Sequence, residues 1–189
     1  MKHYTRILTL FLFISFAFTQ TQLGSDIDGE AAGDYFGTSV SMNSAGDRIA
    51  IGADYNDGTG TQAGHVRVYE YSNSSWTQVG SDIDGEAAND LSGGSVSMNS
   101  AGDRVAIGAV GNDGTGDGAG HVRIYEYSNS SWTQLGSDID GEAASDGSGR
   151  SVSMNSAGDR VAIGASGNDG SGDGAGHVRV YEYLSLIHI

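Results

Sequence analysis

SVSMNSAGDRVAIGA, residues 95–109, holds two alternating runs on either side of a polar centre. It also stands at residues 39–53, with Ile49 in place of Val105, and unchanged at residues 151–165. Val96 and Met98 share one face of an alternating run, and Val105 and Ile107 share one face of a second. A period of two is that of β-strands, and the polar run from Asn99 to Asp103 between them predicts a tight turn.

On either side of this stretch the chain falls into gapless units at a constant spacing, beginning at Thr21, Thr77 and Thr133. Residues 77–127 and 133–183 differ at 7 of 51 positions. Such regularity predicts stacked supersecondary units. Each unit yields four strand candidates, in the second unit residues 94–98, 104–109, 121–127 and 131–136, the last crossing the unit boundary. In residues 121–127, Val122 and Ile124 lie on one face and His121, Arg123, Tyr125 and Tyr127 on the other. The expected fold is all-β, a partial β-propeller of three four-stranded antiparallel blades. It would be a fragment of a propeller of about seven blades, within the range that closes on itself.

Residues 1–19 carry Lys2, His3 and Arg6 before an apolar run that is too short to span a bilayer. They read as a signal peptide, which gives residues 1–19 as leader, 20–76 and 77–132 as blades and 133–183 as a truncated third blade, and a secreted or cell-surface location. After Tyr183 the repeat stops, and residues 184–189 read as the translation of a sequencing-library adapter, so the natural chain is expected to continue.

With 24 acidic and 9 basic residues the net charge is -15, which argues against nucleic acid or an anionic membrane surface as partner. No membrane insertion is expected after leader cleavage. The chain has no cysteine and therefore no disulfide, thiolate metal site or cysteine nucleophile. The 31 glycines recur at fixed offsets as turn punctuation.

Phe36-Gly-Thr-Ser-Val40, Ile51-Gly-Ala53 and Gly64-His-Val-Arg-Val-Tyr69 follow one another as in the FG-GAP repeats of the integrin alpha β-propeller and their secreted bacterial relatives, which this sequence resembles. Two positions depart from that pattern. Phe36 becomes Ser92 and Ser148, and the proline expected after Gly-Ala is Asp54, Val110 and Ser166. The calcium loop of many family members, Asp-x-Asp-x-Asp-Gly, is here the shorter and carboxylate-poor Asn43-Ser-Ala-Gly-Asp47. Calcium asks for six to eight oxygens, so no metal site is carried over and no cofactor is expected. The runs Asp82-Ile-Asp-Gly-Glu86 and Asn112–Gly118 are the acidic stretches that leave calcium open; they read first as a solvated loop and an ordinary turn.

His65, His121 and His177 recur once per unit at a strand start, which predicts a packing role. Arg48, Arg104 and Arg160 each follow an aspartate and read as surface pairs. Asn73 and Asn129 head glycosylation sequons. Differences between units gather at residues 33–38 and 54–62 and their counterparts, on loops that a four-stranded meander places at one end of the sheet. The family resemblance implies ligand binding on that face. The candidate residues are Asp34, Tyr35, Phe36, Asp54, Tyr55, Asp90, Leu91, Asp117 and Arg150, with no catalytic set. The expected function is a non-catalytic binding or adhesion module for an extracellular polysaccharide or surface protein. The alternatives are a structural spacer array and an accessory domain of a downstream enzyme.

Overall fold

The computed structural model describes residues 19–183; residues 1–18, which hold nearly all of the expected leader, and residues 184–189, the expected adapter translation, lie outside the described residues. Among the described residues the regular structure is all strand. The first sheet contains β1 (Ser39–Met42), β2 (Arg48–Ala53), β3 (His65–Ser72), β4 (Ser75–Gln78) and β5 (Ile83–Asp84). The second contains β6 (Ser92–Met98), β7 (Arg104–Ala109), β8 (His121–Ser128), β9 (Ser131–Gln134) and β10 (Ile139–Asp140). The third has β11 (Ser148–Met154), β12 (Arg160–Ala165) and β13 (His177–Glu182). All strand pairs are antiparallel.

Two expectations about the strands change. The fourth strand is broken in two: β4 pairs with the end of β3, the chain bends at Gly80, and β5 returns to pair Ile83 with Val66 and Asp84 with His65. The run Asp82-Ile-Asp-Gly-Glu86 is therefore a strand edge with Ile83 in the core, not a solvated loop. The third sheet has three described strands where a complete blade was expected to have four.

The turns explain the chain reversals. Asn43 Oδ1 accepts the amides of Asp47 (3.1 Å) and Arg48 (3.0 Å), and its Nδ2 donates to Asp47 Oδ1 at 2.7 Å. Asn99 and Asn155 do the same in their units. Asn73-Ser74 and Asn129-Ser130 both take left-handed backbone, as a two-residue hairpin turn requires.

The sheets lie side by side, with β6 against β1 and β2, and β11 against β6 and β7. The close approach is concentrated on the first two strands of each sheet, the wedge arrangement of a propeller segment. One core cluster joins Ala50, Val66 and Val68 to Val96, Met98, Val105, Ile107 and Tyr125; the next joins Ala106, Val122 and Ile124 to Val161 and Ile163. Both faces of the second sheet are thus buried, and the two sides of residues 121–127 face different neighbours. Glycine makes the approach possible. A Cβ on Gly52 would lie 2.0 Å from the carbonyl oxygen of Gly93, and one on Gly108 2.1 Å from that of Gly149.

Candidate ligand-binding face

The loop entering each first strand and the loop after each second strand meet at one end of the sheet, as the meander requires. A buried Asn–Asp pair fastens them. Asn56, Asn112 and Asn168 donate through Nδ2 to the carboxylates of Asp34 (2.9 Å), Asp90 (3.3 Å) and Asp146 (3.0 Å). All six residues are buried. Asp34 and Asp90 therefore hold loops together beneath the surface. Neighbouring units are laced at the same end, with Leu91 N–H donating to Gln62 O (3.1 Å) and Ser92 N–H to Ala63 O (2.9 Å).

On this scaffold Asp54, Tyr55, Leu91 and Arg150 come together. With Gly94, Val110 and Gly149 they line a cavity of about 240 Å³ to which all three units contribute. Arg150 forms no ion pair among the described residues. Burial raises the pKa of the Asp54 carboxyl, and its Oδ1 is buried without a hydrogen-bond partner. Tyr35 is exposed and packs edge-on against Tyr55, with ring centroids 4.9 Å apart. Two candidates stand apart from the cavity. Phe36 turns toward Tyr69, 6.4 Å between centroids, and Asp117 sits on the exposed loop after β7.

The backbone here is strained. Tyr35 and Leu91 hold φ of 54° and 56°, where the third unit places Gly147 at 61°. A side chain in this region costs roughly 1–2 kcal/mol, and such residues gather at functional sites.

A second feature, fully formed around the first unit's β3, was not legible in the sequence. Arg67, on β3, grips Asp82 through Nε (2.9 Å) and Nη2 (2.8 Å) and also contacts Glu30. That hydrogen bonding to Arg67 holds the Asp82 carboxyl below its usual range and keeps the guanidinium charged. Buried His65 lies beside them, its Nδ1 3.7 Å from Asp82 Oδ2. Burial, reinforced by the Arg67 charge, lowers the His65 pKa; burial and Arg123 do the same to His121. The alternation Asp-Ile-Asp was the signal that these carboxylates sit on a strand. His65 and His121 are packed within the fold, as the recurrence of the histidine predicted. Arg48, Arg104 and Arg160 pair across strands with Glu70, Glu126 and Glu182, rather than with the aspartates beside them.

Glu30, His65 and Asp82, and likewise Glu86, His121 and Asp138, are the groups among the described residues spaced closely enough to hold a metal ion. Their chemistry fits one poorly. Arg67 already spans both carboxylates of the first group, and Arg123 Nη1 lies 3.3 Å from Glu86 in the second, so a divalent ion would face a fixed positive charge. Asn43 and its copies spend their side chains closing the turn. Asp113 Oδ1 accepts Gly118 N–H at 2.8 Å within its own loop.

Two solved structures share the architecture. Hydrazine synthase of Kuenenia stuttgartiensis aligns with a TM-score of 0.50 at 9% identity, covering 84% of this chain and 36% of that one. The periplasmic gluconolactonase PpgL of Pseudomonas aeruginosa aligns with a TM-score of 0.51 at 14% identity, covering 78% and 39%. The chain therefore spans under two fifths of either structure, and the likeness is one of fold. No curated protein sequence matches the chain. The FG-GAP repeat family model matches residues 25–69, which takes in β1, β2 and most of β3. The first unit thus carries an FG-GAP repeat, within an all-β chain of propeller type.

Proposed function

We propose that the chain is a non-catalytic binding module, secreted or at the cell surface, that takes an extracellular polysaccharide on the variable-loop face. The observation that carries this reading is the convergence of divergent positions from three nearly identical units, Asp54 and Tyr55, Leu91, and Arg150, around one cavity. Its furnishings suit a sugar. Tyr35 and Tyr55 are exposed aromatic side chains, and Arg150 on the cavity wall offers a donor fork free of ion pairs among the described residues. The strain kept at Tyr35 and Leu91, where Gly147 shows glycine fits, supports a role for those side chains.

A non-enzymatic role is supported by the repetition of the titratable groups. Each histidine–arginine–carboxylate set recurs by unit, and none of its side chains lines this cavity. The FG-GAP match and the leader-like stretch at residues 1–19 support an extracellular location.

The test is binding of the purified chain to an array of neutral and acidic polysaccharides. Tyr55→Ala and Arg150→Ala should each weaken binding by about tenfold, the equivalent of roughly 1.4 kcal/mol. Retained binding in both variants, or binding to a surface protein and no glycan, overturns the reading.

A further inference from the structure

We propose, on the strength of the binding reading above, that Gly33 is a positioning residue of the variable-loop face. Its backbone makes room for Tyr55, and the Tyr55 ring so placed is the platform on which one sugar ring packs its apolar face.

Two positions with a fixed spacing change together between the units. The first unit carries Gly33 and Tyr55, the second Asn89 and Gly111, and the third Ser145 and Gly167. Each pair holds one glycine, and the first unit holds it at the other place. In the second and third units Asn89 and Ser145 take left-handed backbone, with φ of 69° and 64°. Their carbonyl oxygens then crowd the other member of the pair. A Cβ on Gly111 would lie 2.1 Å from Asn89 O, and one on Gly167 2.1 Å from Ser145 O. Only glycine fits beneath so close a backbone.

In the first unit φ at Gly33 opens to 98°, which suits glycine and strains any other residue. The loop stands further off as well: Tyr55 N–H reaches Asp34 O at 3.4 Å, whereas Gly111 and Gly167 reach Asp90 O and Asp146 O at 3.0 Å. A Cβ on Gly33 would itself touch nothing. Glycine is therefore needed at position 33 for its backbone and not for space, and the side chain that gains by it is Tyr55.

The other two units fold with glycine in that place, so the ring is not a requirement of the fold. Tyr55 is 37% exposed, borders the cavity shared by the three units and is braced edge-on by Tyr35. A braced aromatic face beside a polar cavity suits the C–H face of a pyranose and leaves the hydroxyls to the polar wall. The cavity, about 240 Å³, is smaller than the roughly 300–1,000 Å³ of pockets that enclose a drug-sized ligand, so it takes one ring of a polysaccharide.

A double-mutant cycle tests this by giving the first unit the second unit's residues. Gly33→Asn alone should lower the melting temperature by about 5 °C, because Tyr55 keeps the loop from closing. When Tyr55→Gly is already present, the loop can close as the second unit's does, and Gly33→Asn should shift melting by under about 1 °C. The mirror exchange checks the sterics in a unit flanked on both sides: Gly111→Tyr should be far more damaging with Asn89 in place than with Asn89→Gly. Binding is read on laminarin, mannan, pectin and alginate. Gly33→Asn should weaken binding of whichever the parent takes by about tenfold. Gly33→Asn with Tyr55→Gly should leave binding lost although stability has returned, which a merely structural role would not do. Tyr55→Phe, which keeps the aromatic face, should bind about tenfold more tightly than Tyr55→Ala. Equal melting losses in both backgrounds, unchanged affinity in Gly33→Asn, or Tyr55→Phe no better than Tyr55→Ala would overturn the positioning role and leave the binding reading standing. A parent that binds no polysaccharide overturns that reading, and the platform falls with it.

Discussion

The second and third sheets are built from nearly the same residues and have different fates. His121 to Tyr125 is buried on both sides, whereas His177–Glu182 alternates half-buried and exposed. Burial in this protein is conferred by the neighbouring unit, not by the strand's own sequence. Stability is then a sum over junctions, as in other repeat arrays.

The same methyl group placed in both sheets should have very different effects. Gly108→Ala drives a Cβ against the Gly149 backbone and should cost about 3 kcal/mol, the upper end for overpacking. Gly164→Ala meets only the Ser151 side chain beyond its immediate neighbours and should cost under about 1 kcal/mol. Equal losses in urea melts would show that the glycine serves the strand and not the junction.

Removing atoms asks the same question more gently. Val122→Ala should cost about 2 kcal/mol by losing buried methyl groups, and Val178→Ala should stay within about 0.5 kcal/mol. Thermal unfolding of the two variants decides it. Trp132→Phe should cost about 1 kcal/mol, since its Nε1 donates to Val79 O at 2.8 Å in a partly buried seam. Trp76→Phe loses the matching bond to Leu23 O at an exposed site and should cost less.

The smallest effect is one of pH. The folded state lowers the pKa of His65 and His121, so the unfolded chain binds protons first. Stability should be fully present above the ordinary histidine range, near pH 6.5, and fall as the pH drops below it. Asp82, whose folded pKa is also lowered, adds a further loss as the pH approaches the carboxylate range. His121→Gln should flatten the first step in melting temperature measured from pH 7.5 to 5, and an unchanged slope would refute the assignment.

The period-two runs and the constant spacing of the units made the strands, the turn at Asn99 and the end of the sheet bearing the variable loops legible from sequence alone. Local rules govern all three. What escaped was the work of partners brought from elsewhere. Asp34 and Asp90 looked like surface carboxylates because nothing in their own loops reveals Asn56 and Asn112, which reach them only across the fold. Asp82 looked solvated because Arg67 reaches it only after β5 folds back beside β3. The cavity was half visible: divergence pointed to Asp54, Tyr55, Leu91 and Arg150, but Gly149 recurs in every unit and gave no such sign.

The serine ladder at the opposite end, where Ser44 N–H donates to Ser100 O and Ser100 N–H to Ser156 O, repeats one contact at an offset of a single unit. A gene encoding such a series can gain or lose a whole copy by unequal recombination and still specify seams that fit. Selection can then lengthen or shorten the array first and adjust the loops afterwards.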